Sequence, residues 1–173
     1  MNVKFLNPFI DAAIEVLSAE CQLEARRANL TLQKTALTTD EVTVMLSLIG
    51  QVQGVVLYGL SRATGLSLVS RVMGQEFEEF DNLVQSGIAE LGNVITGRAT
   101  IKLSEAGFDS NISPPALILG EAISLSTLDF ARIVAPLNSE AGDIVVHLAL
   151  RESPPGLREA NYLSVTIPVP TIR

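Results

Sequence analysis

The sequence predicts an α+β fold, one domain over residues 1–173 in which two long helices pack against antiparallel β-meanders. Three observations carry that expectation. Apolar residues recur at three- and four-residue spacing over 7–27, 61–73 and 80–107; they alternate at a period of two over 30–60 and 116–150; and the connections between strands are short. Strands come in runs after each helix, so sequence neighbours pair antiparallel and no parallel sheet is expected. The order helix, three strands, short helix, long helix, strands reads as an internal two-fold pseudo-repeat dividing at about residue 75, with halves 1–75 and 76–173.

The first helix is expected to open at Asn7, as a cap before Pro8, and to present Phe9, Ala12, Ala13, Val16 and Leu17 to a core up to Arg27. Val42, Val44, Leu46 and Leu48 then alternate with Thr43, Met45, Ser47 and Ile49, the pattern of a strand with one face inward. Turns at Thr38–Glu41 and Gly50–Gln51 make three strands of the stretch from Leu30 to Leu60. Ser61 caps a short helix that points Leu66, Val69 and Val72 inward and stops at Gly74. Glu76, Glu78 and Glu79 are read as partners of the next helix dipole, with Phe77 and Phe80 anchoring the junction. After Gly107, strands are expected at 116–119, 122–125, 130–136 and 144–150, with an edge strand or ordered tail over Tyr162–Ile167.

Composition narrows the function. A chain of 173 residues, 47% hydrophobic and 18% charged, has enough apolar surface for a sizeable core. Its net charge of −7 offers no basic patch for nucleic acid or for an anionic membrane. There is no leader-like start and no apolar run near 18 residues, so a cytoplasmic, soluble protein is expected. Cys21 is the only cysteine and His147 the only histidine, which rules out an intrachain disulfide and a zinc site built on those ligands. Cys21 and Arg27 have the spacing of a cysteine-phosphatase loop, but the helix-forming residues between them include no glycine to turn backbone amides inward. His147 has no acid or second histidine near it in sequence and is read as a surface or satisfied residue.

The long helix over 80–107 carries the candidate site. Leu83, Val84, Leu91, Val94 and Ile95 recur at helical spacing and mark a core side. At about 100° per residue, Ser86, Glu90, Asn93 and Gly97 fall within roughly 60° of one another, opposite Ile88, Ile95 and Ala99. Where a solvent face would carry Lys, Arg and Glu, this stripe is bordered by Ala89, Gly92, Thr96 and Thr100, which suits a docking surface. Gly87, Gly92 and Gly97 each weaken a helix by about 1 kcal/mol relative to Ala, and close approach of another backbone would compensate. Asp11, Glu15 and Ser18 repeat the spacing on the first helix as a degenerate copy.

A carboxylate and a carboxamide cannot form an acid/base dyad, because the amide does not titrate near neutral pH. They can position: Asn93 can orient a water while Glu90 pins a cationic group one turn away. Such a site suffices for a labile bond, such as an acyl phosphate, when the partner protein supplies the metal and the charge stabilisation. A stand-alone small-molecule enzyme would need a glycine-rich phosphate loop, a nucleophile with its base or a metal cluster, and the sequence has none of these.

The run Ser86, three residues, Glu90, two residues, Asn93 resembles the signature of the CheX/CheC/FliY family of chemotaxis phosphatases. With one intact copy on the second long helix and an opening Asn2–Ile10 like theirs, the chain looks most like CheX. The resemblance covers most of the chain in element order and implies a CheC-like fold. It also implies a phosphatase that hydrolyses the aspartyl phosphate of a CheY-like response regulator and so terminates the chemotaxis signal. Carried over, Asn93 directs the attacking water, Glu90 holds the receiver's lysine, Ser86 supports docking or local geometry, and Ala89, Thr96, Gly97 and Thr100 border the docked partner. The protein would need no cofactor of its own, since the Mg²⁺ belongs to the receiver, and it would be a homodimer joined through its sheets. The family's proline downstream of the motif corresponds only approximately to Pro114 or Pro115. The alternative is a CheX-like docking or dimerisation module that binds a receiver or a flagellar switch component without hydrolysis.

Overall fold

A computed structural model describes residues 3–34, 37–125 and 131–154. The expected strand or tail at Tyr162–Ile167 lies outside the described residues, as does the first part of the strand expected from residue 130. After a short 3-10 turn at Val3–Phe5 the described elements are α1 (Leu6–Cys21), β1 (Arg26–Arg27), β2 (Thr31–Gln33), β3 (Leu37–Thr38), β4 (Val42–Gly50), β5 (Val52–Leu60), α2 (Arg62–Met73), α3 (Asn82–Glu105), β6 (Ser110–Ile112), β7 (Ala116–Leu119), β8 (Ser124–Leu125), β9 (Arg132–Ser139) and β10 (Gly142–Glu152). The architecture is α+β, with the helices packed over an open antiparallel sheet.

Two hairpins, β4–β5 and β9–β10, make the centre of the sheet, and they join where β5 pairs with β10. The short strands cross over reciprocally: β1 and β2 pair with β9, β6 and β7 pair with β4, and β3 pairs with β8 in a separate ribbon. The meanders expected from short connections are thereby corrected. Only the two tight hairpins pair with their sequence neighbours; the short strands before them find their partners in the other half of the chain. Ser113 fills the gap between β6 and β7, with its amide donating to Ser47 O and its hydroxyl accepting from the Ser47 amide.

One face of the sheet meets the helices. Val42, Val44, Leu46 and Leu48 point to it as the alternation predicts, alongside Val56, Tyr58, Val146 and Leu148. From α1 they meet Phe9, Ala12, Ala13, Val16 and Leu17, the face expected from sequence. Helix α1 is shorter than expected, however. Its cap is Phe5, without a side-chain hydrogen bond, and it ends at Cys21, where Gln22 turns left-handed at φ 53° and donates back to Leu17 O. Arg26 and Arg27 then run along β9 as β1. In α2 the Ser61 cap holds, its hydroxyl accepting from the Thr64 amide, and Gly74 ends the helix at φ 65°. Leu68, not Val72, is its buried partner to Val69, because Val72 turns outward. At the start of α3, Asp81 is the cap: its Oδ1 accepts from the amides of Leu83 and Val84. Glu76, Glu78 and Glu79 lie outside the helix and exposed, so the dipole role assigned to them falls to Asp81.

On the other face of the sheet His147 is buried, 6% exposed, and is not the surface residue its sequence context suggests. Burial, reinforced by the Arg132 guanidinium, pushes its pKa down to about 4. Cys21 is buried at the end of α1, where desolvation and the neighbouring Glu20 raise its thiol to about 11, and it is inert.

Two predictions follow from this packing. Because His147 binds its proton less well in the folded chain, its contribution to stability is complete above pH 6.5 and drains away as pH falls toward 4, on the order of 3 kcal/mol in all. Urea titrations of wild type and His147→Gln across that range should show a steeper loss for wild type; parallel curves would refute the assignment. A Cβ at Gly92 would meet Val44 Cγ1 at 2.9 Å, so Gly92→Ala should destabilise by about 1–3 kcal/mol despite its better helix propensity. An unchanged or raised midpoint of unfolding would contradict that close approach.

Candidate functional site

Helix α3 is 24 residues long and buries Val84, Ile88, Leu91, Gly92, Ile95, Thr96, Ala99 and Leu103 against the sheet and the other two helices. Its seat is specific. Val44 on β4 and Tyr58 on β5 are cross-strand partners, and Gly92 lies directly against both. One turn on, the Thr96 hydroxyl donates to Gly92 O at 2.7 Å, which commits its only proton, so it accepts from the Tyr58 hydroxyl at 2.9 Å. Burial drives the Tyr58 pKa far above its ordinary value, with the Thr96 bond opposing that only in part, and the phenol remains a donor.

Thr96 is therefore not on the docking border. It is fully buried, and it orients the helix from behind. Gly87 and Gly92 are likewise explained from within: a Cβ at Gly87 would meet Val69 Cγ2 at 3.0 Å, and the neighbours of both glycines are side chains of this chain. Gly97 differs, because a Cβ there would meet nothing within 4 Å. Ala89, Gly97 and Thr100 are partly exposed, with the Thr100 hydroxyl turned back to Gly97 O.

With that side of the helix buried, the opposite side faces out. Ser86 and Glu90 are exposed and Asn93 is partly exposed. Asn93 Nδ2 donates to Glu90 Oε2 at 3.5 Å, the outer limit of a hydrogen bond, and no cation among the described residues pairs with Glu90. The two groups are held in register by the helix yet remain available to another molecule. Asp81 fixes the start of that helix, and Lys102 ties its last turn to Glu15 of α1 across 2.6 Å. Glu15, which has on α1 the spacing that Glu90 has on α3, is thus occupied.

Two residues read as inward are outward. Leu83 and Val94 are 47% and 38% exposed and, with Ile101 at 57%, stand on the same side of α3 as Glu90. The signal was in the sequence: relative to Glu90, all three fall within about 40° on a helical wheel. Glu90 and Asn93 line none of the best-formed hollows among the described residues and stand on the outward side of α3 with the exposed Leu83, Val94 and Ile101. Among the described residues no three His, Cys, Asp or Glu side chains come together to hold a metal, and no helix is long and apolar enough to cross a membrane.

The comparisons with known proteins agree with this architecture. A CheY-P phosphatase CheX from Thermotoga maritima is 25% identical over 128 residues, covering 73% of this chain and 83% of the relative. Among solved structures, the CheX–CheY–BeF₃–Mg²⁺ complex from Borrelia burgdorferi matches with a TM-score of 0.75 at 28% identity, covering 87% of this chain and 100% of the matched one. A CheC-like superfamily protein from Shewanella sp. PV-4 matches with a TM-score of 0.79 at 25% identity, over 87% of this chain and 99% of that one. The model of the family described as chemotaxis phosphatase CheX matches residues 42–138, more than half of the chain and the whole of α3 with its seat, and the protein belongs to that family.

Proposed function

We propose that the protein hydrolyses the aspartyl phosphate of a CheY-like response regulator, lending Glu90 and Asn93 to the receiver's own active site. One observation carries the reading: a carboxylate without a counter-ion and a carboxamide stand side by side on the outer face of a rigid helix, outside any described hollow. A convex site of this kind has no enclosed volume to hold a small substrate, and it suits a partner that brings the cavity. Family membership supports the activity, and the relative solved with CheY, BeF₃ and Mg²⁺ supports the choice of partner.

In the reaction, a water oxygen attacks phosphorus, the bond from phosphorus to the aspartyl oxygen breaks, and the receiver's carboxylate leaves with the bonding pair. The water's proton passes to the phosphate released. Asn93 positions the water in line: its amide oxygen accepts a hydrogen bond from the water, while the NH₂ hydrogen not directed at Glu90 can hold a phosphoryl oxygen. Glu90 pairs with a lysine of the receiver and so fixes the helix against the pocket. Ser86, one turn before Glu90 on the exposed face, supports the docked helix. On this reading Mg²⁺ belongs to the receiver. The homodimer and the cytoplasmic location carry over as part of the same reading.

Phospho-receiver decay measured with and without the protein tests the activity. Asn93→Ala should slow assisted decay about 100-fold while leaving the receiver bound, the loss associated with one preorganised polar group. Glu90→Ala should lower kcat/KM by about tenfold or more, chiefly through binding. An unchanged receiver lifetime at micromolar wild-type protein would exclude hydrolysis; binding of a beryllofluoride-loaded receiver under those conditions would leave a docking module.

A further inference from the structure

The outer face of α3 carries more than the two polar groups. Measured round the helix from Glu90, Leu83, Val94, Gly97 and Ile101 all fall within about 40°, and Asn93 lies at about 60°. Val94 follows Glu90 by about 6 Å along the axis, and Gly97 follows Asn93 by the same rise. A partner cavity lowered onto Glu90 and Asn93 therefore covers Val94 and passes over Gly97. Leu83 and Ile101 lie at the two ends of the same line, one about 10 Å before Glu90 and the other about 16 Å after it.

Nothing among the described residues requires a glycine at position 97. Gly87 and Gly92 admit Val69 and Val44, but a Cβ at Gly97 would touch nothing, and its φ is not one that only glycine tolerates. A helix interior without such a need favours Ala.

Resting on the phosphatase reading above, we propose that Val94, with Leu83 and Ile101 at its ends, forms an aliphatic ridge that seats the rim of the receiver's phosphorylation pocket, and that Gly97 is the notch through which the receiver's backbone comes close to Asn93. Aliphatic cover on either side of Glu90 removes water from its pairing with a receiver cation, which strengthens the pair. The unpaired carboxylate in the middle of the ridge also selects the occupant. Two copies of this chain related by a two-fold axis through the ridge would set Glu90 against Glu90, and an anionic lipid surface would repel it. A protein surface with a cation at its centre and apolar residues around it fits.

The test uses the full chain with a CheY-type receiver phosphorylated by acetyl phosphate, alongside binding of the same receiver loaded with beryllofluoride. Val94→Ser should raise KM and Kd about tenfold, the loss of two buried methyl groups, with kcat within about twofold of wild type. Gly97→Ala should raise the Tm of the protein alone by about 2–4 °C while weakening receiver binding, and Gly97→Leu should weaken it further. A structural glycine would instead lose stability with binding intact. The ridge is refuted if wild type shortens the phosphate lifetime but Val94→Ser and Gly97→Leu match it in KM. If wild type binds without shortening that lifetime, the phosphatase reading fails, and the Kd values of the same variants still decide the ridge. A wild type that neither binds nor hydrolyses overturns both. Loss of self-association in Val94→Ser with receiver binding unchanged would assign the ridge to a second copy.

Discussion

The contact between α3 and the β4–β5 hairpin determines what this protein can present to a partner. Gly92 lets the helix backbone settle onto Val44 and Tyr58, and the buried Tyr58–Thr96 hydrogen bond sets its rotation. A helix fixed in height but free to rotate would expose a different stripe for each few tens of degrees of turning, since adjacent residues are about 100° apart. The Tyr58–Thr96 bond makes rotation costly: turning the helix would leave the buried Tyr58 hydroxyl short of its acceptor, with a penalty of about 1–3 kcal/mol. The exposure of Glu90 and Asn93 is therefore a consequence of chemistry on the far side of the helix. The same seat relies on β4, which is held on its outer edge by β6 and β7 from beyond α3.

The reciprocal pairing of short strands gives that seat its rigidity. Each hairpin is bordered by strands from the opposite half of the chain, so neither half can shift without breaking the ladder of the other. On α1, Glu15 stands between Asp11 and Ser18 at the spacing Glu90 has on α3, and it is drawn into an ion pair with Lys102 that ties α1 to α3.

The sequence revealed most where one periodicity decides the outcome. Alternation in Val42–Leu48, the inward face of α1, the Ser61 cap and the Gly74 stop all follow from local rules, and each is present. Local rules failed where several candidates competed or where the partner lay far away in sequence. Asp81 outcompetes Glu76, Glu78 and Glu79 because an oxygen on a short side chain reaches the amides of the first turn, whereas longer acids upstream do not. The partners of β2 and β7 are invisible to short-connection reasoning, since both lie in the other half. At the site, small residues looked alike as a border, yet Gly92 and Thr96 are packing residues and Gly97 is not. Only the position of the sheet separates them. Leu83 and Val94 are apolar yet face outward, because their angles around the helix place them beside Glu90.

The proposed reaction divides the chemistry unevenly between two proteins. This chain would provide two side chains on a helix whose backbone is ordered during folding and not at binding. Among the described residues no three His, Cys, Asp or Glu side chains gather into a metal cluster. On the proposed reading, selectivity would rest on fit to a folded surface, through the aliphatic ridge and the notch at Gly97, while the rate would rest on Asn93. With the two tasks on different residues of one helix, affinity for a receiver could then change without disturbing the geometry of hydrolysis.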